Sequence, residues 1–150
     1  MENFRFSLEK VLNWQRVRRD MEELKLKQLI LALERAQGDL ERLHSERVSA
    51  RHQVTSRQAL VGQDLAALEA YRLRLTKQEP SLRQTIKDCE LQVAAQKQRC
   101  IESERRCRLF EKLKGRRFAE FQQALDRERE SFATEMHLAR SVRENSQQIQ

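Results

Sequence analysis

Apolar residues spaced alternately three and four positions apart constrain this chain more than any other feature of its sequence. One such line, the first seam, is interrupted only at Arg47. Its members are Leu26, Leu29, Leu33, Ala36, Leu40, Leu43, Ala50 and Val54. This repeat places all of these side chains on one face of a helix that packs against another helix. The spacing therefore predicts a coiled-coil arm, which we expect to span residues 7–57.

A second apolar line, offset by two residues from the first seam, lies in the N-terminal part of the same arm. Its members are Trp14, Val17, Met21, Leu24 and Leu31, with Gln28 among them. Two offset lines widen the apolar face of a helix. We therefore expect this part of the arm to face more than one neighbour or to carry a broader groove.

A later seam predicts a second coiled-coil arm over residues 81–140. Its apolar members are Leu82, Ile86, Cys89, Val93, Cys100, Cys107, Phe110, Phe121 and Ala124. Gln96 and Ser103 occupy two polar positions within this seam. The pattern ends after Arg140, and we expect residues 141–150 to fray.

The segment between the arms, residues 58–80, is bracketed by Gly62 and Pro80. Proline has no backbone N–H and disfavours a continuous helix. An amphipathic stretch over residues 64–78 has apolar residues at helical spacing. The segment therefore predicts a connection that contains one short helix.

These patterns predict an all-α fold, a long two-helix antiparallel coiled-coil hairpin that forms a single domain over residues 1–150. Aromatic residues make up only 5% of the chain, which has 3 Gly and 1 Pro; this composition argues against a β fold or an α/β enzyme. A parallel dimer is the alternative arrangement. In the expected hairpin register, Val54 lies near Ile86, Leu26 near Lys114, Phe4 near Met136, and Glu22 and Glu23 near Arg116 and Arg117.

The sequence indicates a binding protein without catalytic activity, cofactor or metal. It has no Gly-rich phosphate loop, and its 3 His residues are scattered. The cysteines Cys89, Cys100 and Cys107 are too far apart along one helix for a disulfide and lack the pairing of a zinc site. We therefore expect reduced thiols and a reducing cytoplasm.

The net charge of +7 raises the question of nucleic-acid binding. The densest basic run is RRCR at residues 105–108, but 23 Asp and Glu residues are interleaved along the chain. Aromatic and basic residues do not alternate as they do on a stacking surface for bases. An acidic protein surface is therefore favoured over nucleic acid as the partner.

Two stretches resemble the FliJ family. The first is FRFSLEKVL at residues 4–12, followed by Arg16 and Arg19; the second is EKLKGRR at residues 111–117, followed by Glu120, Glu128 and Glu135. The resemblance implies a small cytoplasmic component of the flagellar type III export apparatus, peripherally associated with the inner membrane at the flagellar base. It implies an antiparallel coiled coil, similar to the stalk of rotary ATPases, that binds the export ATPase ring and promotes its assembly. It also implies coupling to the export gate in the membrane and to export chaperones.

The resemblance also suggests which residues contact these partners. Ring contact is expected at the joined ends of the arms, near Arg16, Arg19, Glu111, Lys112, Arg116, Arg117 and Glu120. Gate contact is expected at the tip, near Leu68, Tyr71 and Leu75. The alternatives are a generic coiled-coil scaffold, a virulence-type secretion stalk protein and a basic rod associated with nucleic acid.

Overall fold

A computed structural model describes residues 3–56 and 62–147 of the chain, which form two helices. Helix α1 spans Glu9–Thr55 and helix α2 spans Gly62–Gln147. Before α1, the backbone N–H of Glu9 donates a hydrogen bond to the carbonyl oxygen of Phe6 at 3.1 Å. The described residues include no strand. The bounds of α1 agree closely with the predicted arm, whose last residue, Arg57, lies outside the described residues.

The two helices contribute to two compact units. One unit, Val17–Glu104, is called the 17–104 unit; the other, Met1–Arg16 with Arg105–Gln150, is called the terminal unit.

In the 17–104 unit, α1 and α2 pack antiparallel. The inter-helix contacts pair Arg19 with Glu104, Glu22 with Gln96, and Glu46 with Tyr71. The residue number on α2 falls as that on α1 rises, which is the mark of antiparallel helices. The buried residues of this unit are Ala36, Leu43, Leu75, Val93, Gln96 and Ser103. All of them except Leu75, which lies in the predicted connection, belong to the two seams, and this confirms that the seams face inward.

In the terminal unit, the start of the chain also runs antiparallel to α2. The Phe4 ring meets the Phe118 ring edge-on, with centroids 5.2 Å apart, and lies 5.6 Å from the Phe121 ring. Leu12 and Cys107 are fully buried here. The antiparallel two-helix fold predicted from the sequence is therefore confirmed.

The predicted connection over residues 58–80 is wrong from Gly62 onward, because α2 begins there and runs through Pro80; residues 58–61 lie outside the described residues. The stretch expected to be a separate short helix is the first part of α2. Proline inside a helix removes one backbone hydrogen bond and costs about 3 kcal/mol. Pro80 is exposed, while Leu75 before it is buried and Leu82 after it is half-buried. Packing of α2 against α1 on both sides of Pro80 therefore overrides its local preference.

The expected end of the second arm at Arg140 is also wrong. Helix α2 continues to Gln147, and residues 148–150 lie outside the described residues. The residues after Arg140 lack the seam pattern, but residues 141–147 include no Pro or Gly that would interrupt the helix.

The predicted pairing of the two helices is shifted relative to the structure. Phe4 packs against Phe118 and Phe121 rather than near Met136. Glu22 bonds to Gln96 instead of lying near Arg116 and Arg117. Lys114 pairs with Glu9 instead of lying near Leu26, and Val54 lines a groove with Leu68 instead of meeting Ile86. The cause is the early start of α2, since each residue of α1 then meets a more N-terminal part of α2.

Candidate partner-binding surfaces

A cluster of exposed ion pairs joins α1 to α2 in the terminal unit. The Arg16 guanidinium lies 3.2 Å from a carboxylate oxygen of Glu111, and the Lys114 ammonium lies 2.7 Å from a carboxylate oxygen of Glu9. The side chains of Arg16 and Glu111 are 41% and 42% exposed. Ion pairs this accessible to water contribute little to stability. Their charges therefore remain available to a partner protein.

The remaining residues expected to contact an ATPase ring lie on α2, except for Arg19. Arg117 pairs with Glu120 one turn later, at 3.1 Å, and Lys112 and Arg116 are exposed. Arg19 belongs to the 17–104 unit, where its guanidinium lies 2.9 Å from Asp20 and 4.0 Å from Glu104.

An open groove of about 380 Å³ lies in the 17–104 unit between the end of α1 and the start of α2. Its lining residues are Glu46, Ser49, Ala50, Gln53, Val54, Asp64, Ala67, Leu68 and Tyr71. The Tyr71 hydroxyl donates a hydrogen bond to the Glu46 carboxylate at 3.1 Å. Partial burial, and then the Glu46 carboxylate, raise the pKa of Tyr71. Because tyrosine already carries its proton at neutral pH, the phenol stays neutral and serves as a donor in this groove.

Of the three residues expected at a gate contact, two line this groove. Leu68 and Tyr71 are half-buried, so part of each side chain is accessible. Leu75 is 3% exposed and belongs to the core. Leu75 therefore presents no surface to a partner while α1 and α2 are packed together, and that part of the expected contact is corrected.

Glu79 forms a charged cluster that the sequence interpretation missed. Its carboxylate lies 2.7 Å from Arg83 on the same helix, and 3.3 Å from Arg47 and 3.4 Å from His44 on α1. The hydrogen bonds from Arg83 and then from His44 lower the pKa of Glu79. Glu79 and Arg83 are four residues apart on one helix, a spacing that predicts their ion pair from sequence. The pairs of Glu79 with Arg47 and His44 on α1 could not be predicted without knowing how the two helices are aligned.

Neither a metal site nor a membrane span is found in the part of the chain that the structure describes. Across residues 3–56 and 62–147, no three His, Cys, Asp or Glu side chains are grouped as metal ligands would be. Over the same residues, neither helix contains a segment apolar and long enough to cross a bilayer.

Comparison with known families identifies the chain. The family model described as "Flagellar FliJ protein" matches residues 4–148, which is nearly the whole sequence. The chain belongs to the FliJ family. No curated protein and no solved structure matches it.

Membership in the FliJ family confirms the resemblance carried by residues 4–12 and 111–117. It supports a role associated with flagellar protein export; the FliJ family is a non-enzymatic part of the export apparatus. In this FliJ-family chain both of those stretches belong to the terminal unit, where Glu9 pairs with Lys114. The residues that carry the resemblance are thus in direct contact.

Proposed function

We propose that this protein is a stalk that binds the export ATPase ring, promotes assembly of the ring and couples it to the export gate and to export chaperones. The observation that carries the proposal is the family match over residues 4–148. By this proposal the protein acts in the cytoplasm and associates peripherally with the inner membrane at the flagellar base.

The exposed charges of the terminal unit support a contact with the ATPase. Arg16, Lys112, Arg116 and Arg117 are accessible cations, and the acidic partners Glu111 and Glu120 are accessible as well. A partner with complementary charges can replace these weak ion pairs at little cost, and charge complementarity accelerates association. Arg19 is proposed for the same contact, as a cation of the 17–104 unit.

The groove between the end of α1 and the start of α2 supports a separate contact with the gate. Leu68 and Tyr71 offer partly exposed apolar surface beside the Glu46 carboxylate. An apolar surface with one polar anchor is typical of sites that bind a short segment of a partner.

The direct test measures ATP hydrolysis and ring assembly of a purified flagellar export ATPase with and without this chain. We expect faster hydrolysis and more rings at near-stoichiometric amounts of the chain. A competent ATPase that shows no change with the folded chain contradicts the stalk proposal. A nucleic-acid rod would instead show binding to nucleic acid that weakens steeply with salt.

Paired charge reversals test the ring contact. The double variant R116E/R117E is expected to lose ATPase stimulation. The matched control is R72E/R74E, which makes the same change in net charge on the same helix. The Arg72–Glu69 and Arg117–Glu120 pairs have the same spacing and the same 3.1 Å distance. An equal loss of stimulation in both variants would show a general charge effect and remove the proposed ring contact.

Substitutions in the groove test the gate contact. L68S/Y71S is expected to weaken binding to the purified cytoplasmic part of the export gate, measured by fluorescence anisotropy. The control is L73S, which removes an exposed leucine from the same helix outside the groove. Unchanged gate binding by L68S/Y71S would exclude the groove as the contact.

A further inference from the structure

Four large apolar side chains form an exposed line on α1 within the 17–104 unit. These residues, the outer stripe, are Val17, Met21, Leu24 and Leu31, and each is between 52% and 57% exposed. They are separated by four, three and seven positions, so they share one face of the helix. The position that would complete the repeat is Gln28, which is also exposed.

The opposite face of the same segment packs against α2. Its first two seam positions, Arg19 and Glu22, are polar, whereas the next two, Leu26 and Leu29, are apolar and half-buried. Arg19 reaches Glu104 of α2 at 4.0 Å. Glu22 accepts a hydrogen bond from Gln96, through its carbonyl oxygen, at 3.0 Å. A helix that packs against only one neighbour normally has its apolar residues facing that neighbour and its polar residues facing water. Over residues 17–24 the pattern is reversed, which indicates that this segment of α1 has a second helical neighbour.

The spacing of the outer stripe specifies what kind of neighbour fits. Alternating steps of three and four are the pattern by which two helices interlock their side chains in a coiled coil. An apolar line at this spacing matches another amphipathic helix better than it matches a loop or a flat sheet. Contiguous exposed apolar surface on a soluble protein typically marks such an interaction site.

The charged residues beside the outer stripe indicate which charge the flanking residues of the partner helix should have. Arg18 and Lys25 each directly follow a stripe residue, while Asp20 and Lys27 directly precede stripe positions. All four are exposed. In a coiled coil these flanking positions face the flanking positions of the partner helix and determine which partner is accepted. Three cations and one anion therefore favour acidic flanks on the partner.

We propose that the outer stripe is a docking site for an amphipathic helix of another protein, with an apolar seam flanked by Asp and Glu. A second copy of this chain fits less well, because two copies would bring the same three cations to one interface. Like charges across a coiled coil act against pairing. None of the four stripe residues is among the residues proposed for the ring contact, and none lines the groove with Leu68 and Tyr71.

The test uses a fluorescein-labelled synthetic peptide of about four heptads, with Leu at the seam positions and Glu at the flanking positions. Its anisotropy is followed as the full-length chain is added. Two further peptides have Lys at the flanks, or keep the Glu flanks with Ser at the seam. We expect the Leu/Glu peptide to bind at least about tenfold more tightly than either of them, a difference of about 1.4 kcal/mol.

Matched variants of the chain locate the binding. V17Q/M21Q/L24Q/L31Q is expected to weaken binding of the Leu/Glu peptide by about tenfold or more. The control, L65Q/L73Q/L91Q/I101Q, replaces four exposed apolar residues of α2 in the same unit. It is expected to bind the peptide as the unchanged chain does. Circular dichroism shows whether each variant has kept its helices.

Several outcomes overturn the proposal. Equal weakening by the two quadruple variants would show that the outer stripe is not the site. Equal binding of the Ser-seam peptide would show attraction by charge alone. Sedimentation velocity tests whether a second copy of the chain occupies the outer stripe. A dimer that becomes monomeric only in V17Q/M21Q/L24Q/L31Q would show that it does. A folded chain that binds none of the peptides also contradicts the proposal.

Discussion

The side-chain amide of Gln96 on α2 donates hydrogen bonds to both the backbone carbonyl oxygen and the carboxylate of Glu22 on α1. Gln96 is 4% exposed and occupies a seam position that usually holds an apolar residue. A buried amide is stable only where its partners are in place, so this contact opposes sliding of one helix along the other. The polar seam position thus specifies the register of the 17–104 unit.

The substitution Gln96→Leu should lower the melting temperature near neutral pH by removing these bonds. The hydrogen bond from Gln96 is the largest cause that lowers the pKa of Glu22 below its ordinary value of 4.5. A lowered carboxylate pKa stabilises the fold at pH values above 4.5, and this contribution is lost as the pH falls through the folded-state pKa. The difference between Gln96→Leu and the unchanged chain should therefore shrink in acid.

Thermal unfolding followed by circular dichroism at about pH 7 and about pH 3 measures this difference. The matched control is Gln98→Leu, at an exposed position of the same helix. It should leave the melting temperature nearly unchanged at both pH values. A constant difference between Gln96→Leu and the unchanged chain across this pH range would contradict the role of the Glu22 carboxylate.

The substitution Leu12→Ala should reduce the free energy of unfolding by about 2–5 kcal/mol, because it leaves a cavity in a packed site. Leu12 is 0% exposed. The control Leu109→Ala, in the same unit but 66% exposed, should change the free energy by no more than about 0.5 kcal/mol. Urea unfolding measures both values. Similar losses for the two variants would mean that Leu12 is not in a packed core.

Crosslinking should distinguish the observed register of the terminal unit from the one predicted by sequence. After replacement of the three native cysteines, R16C/E111C should crosslink within one chain through a short bis-maleimide, since Arg16 and Glu111 form an ion pair at 3.2 Å. R16C/A124C, the pair expected from the sequence-predicted register, should crosslink poorly. Denaturing electrophoresis separates the crosslinked from the linear chain. A preference for the second pair would contradict the structure.

The three native thiols should differ in their reaction with a thiol reagent. Cys107 is 1% exposed and should react only as the chain unfolds. Burial raises the pKa of the partly exposed Cys100, so less of its reactive thiolate is present at mildly alkaline pH. Single-cysteine variants should therefore react in the order Cys89, Cys100, Cys107. Fast labelling of Cys107 in the folded chain would show that α1 and α2 separate near it.

Sequence patterning predicted the helices and their buried faces, because a repeat of three and four positions places all of its members on one face of a helix. Leu43 and Val93 are buried as their seam positions require. Sequence could not predict that α2 continues through Pro80, because local preference and tertiary packing oppose each other there. The error in the predicted pairing of α1 with α2 has the same cause, because that pairing depends on where α2 begins.

The charged residues of the candidate surfaces were identified from sequence, but their pairing was not. The stretches around Glu9 and Glu111 carried the family resemblance, while the contacts of Glu9 with Lys114 and of Glu111 with Arg16 emerged only from the fold. Leu75 was expected at the surface, and packing places it in the core. An apolar position on an amphipathic helix does not by itself reveal whether a neighbour covers it.

The sequence by itself determined that the chain is helical, where its seams lie and to which family it belongs. These properties depend on local preference, periodicity and short motifs. Only the tertiary structure decided where α2 begins, which residues of the two helices meet, and that Val17 and Leu24 stay exposed while Arg19 and Glu22 contact α2. The physical reason is that a heptad repeat allows several registers of similar apolar burial. Specific polar contacts such as Gln96 with Glu22 then select one of them.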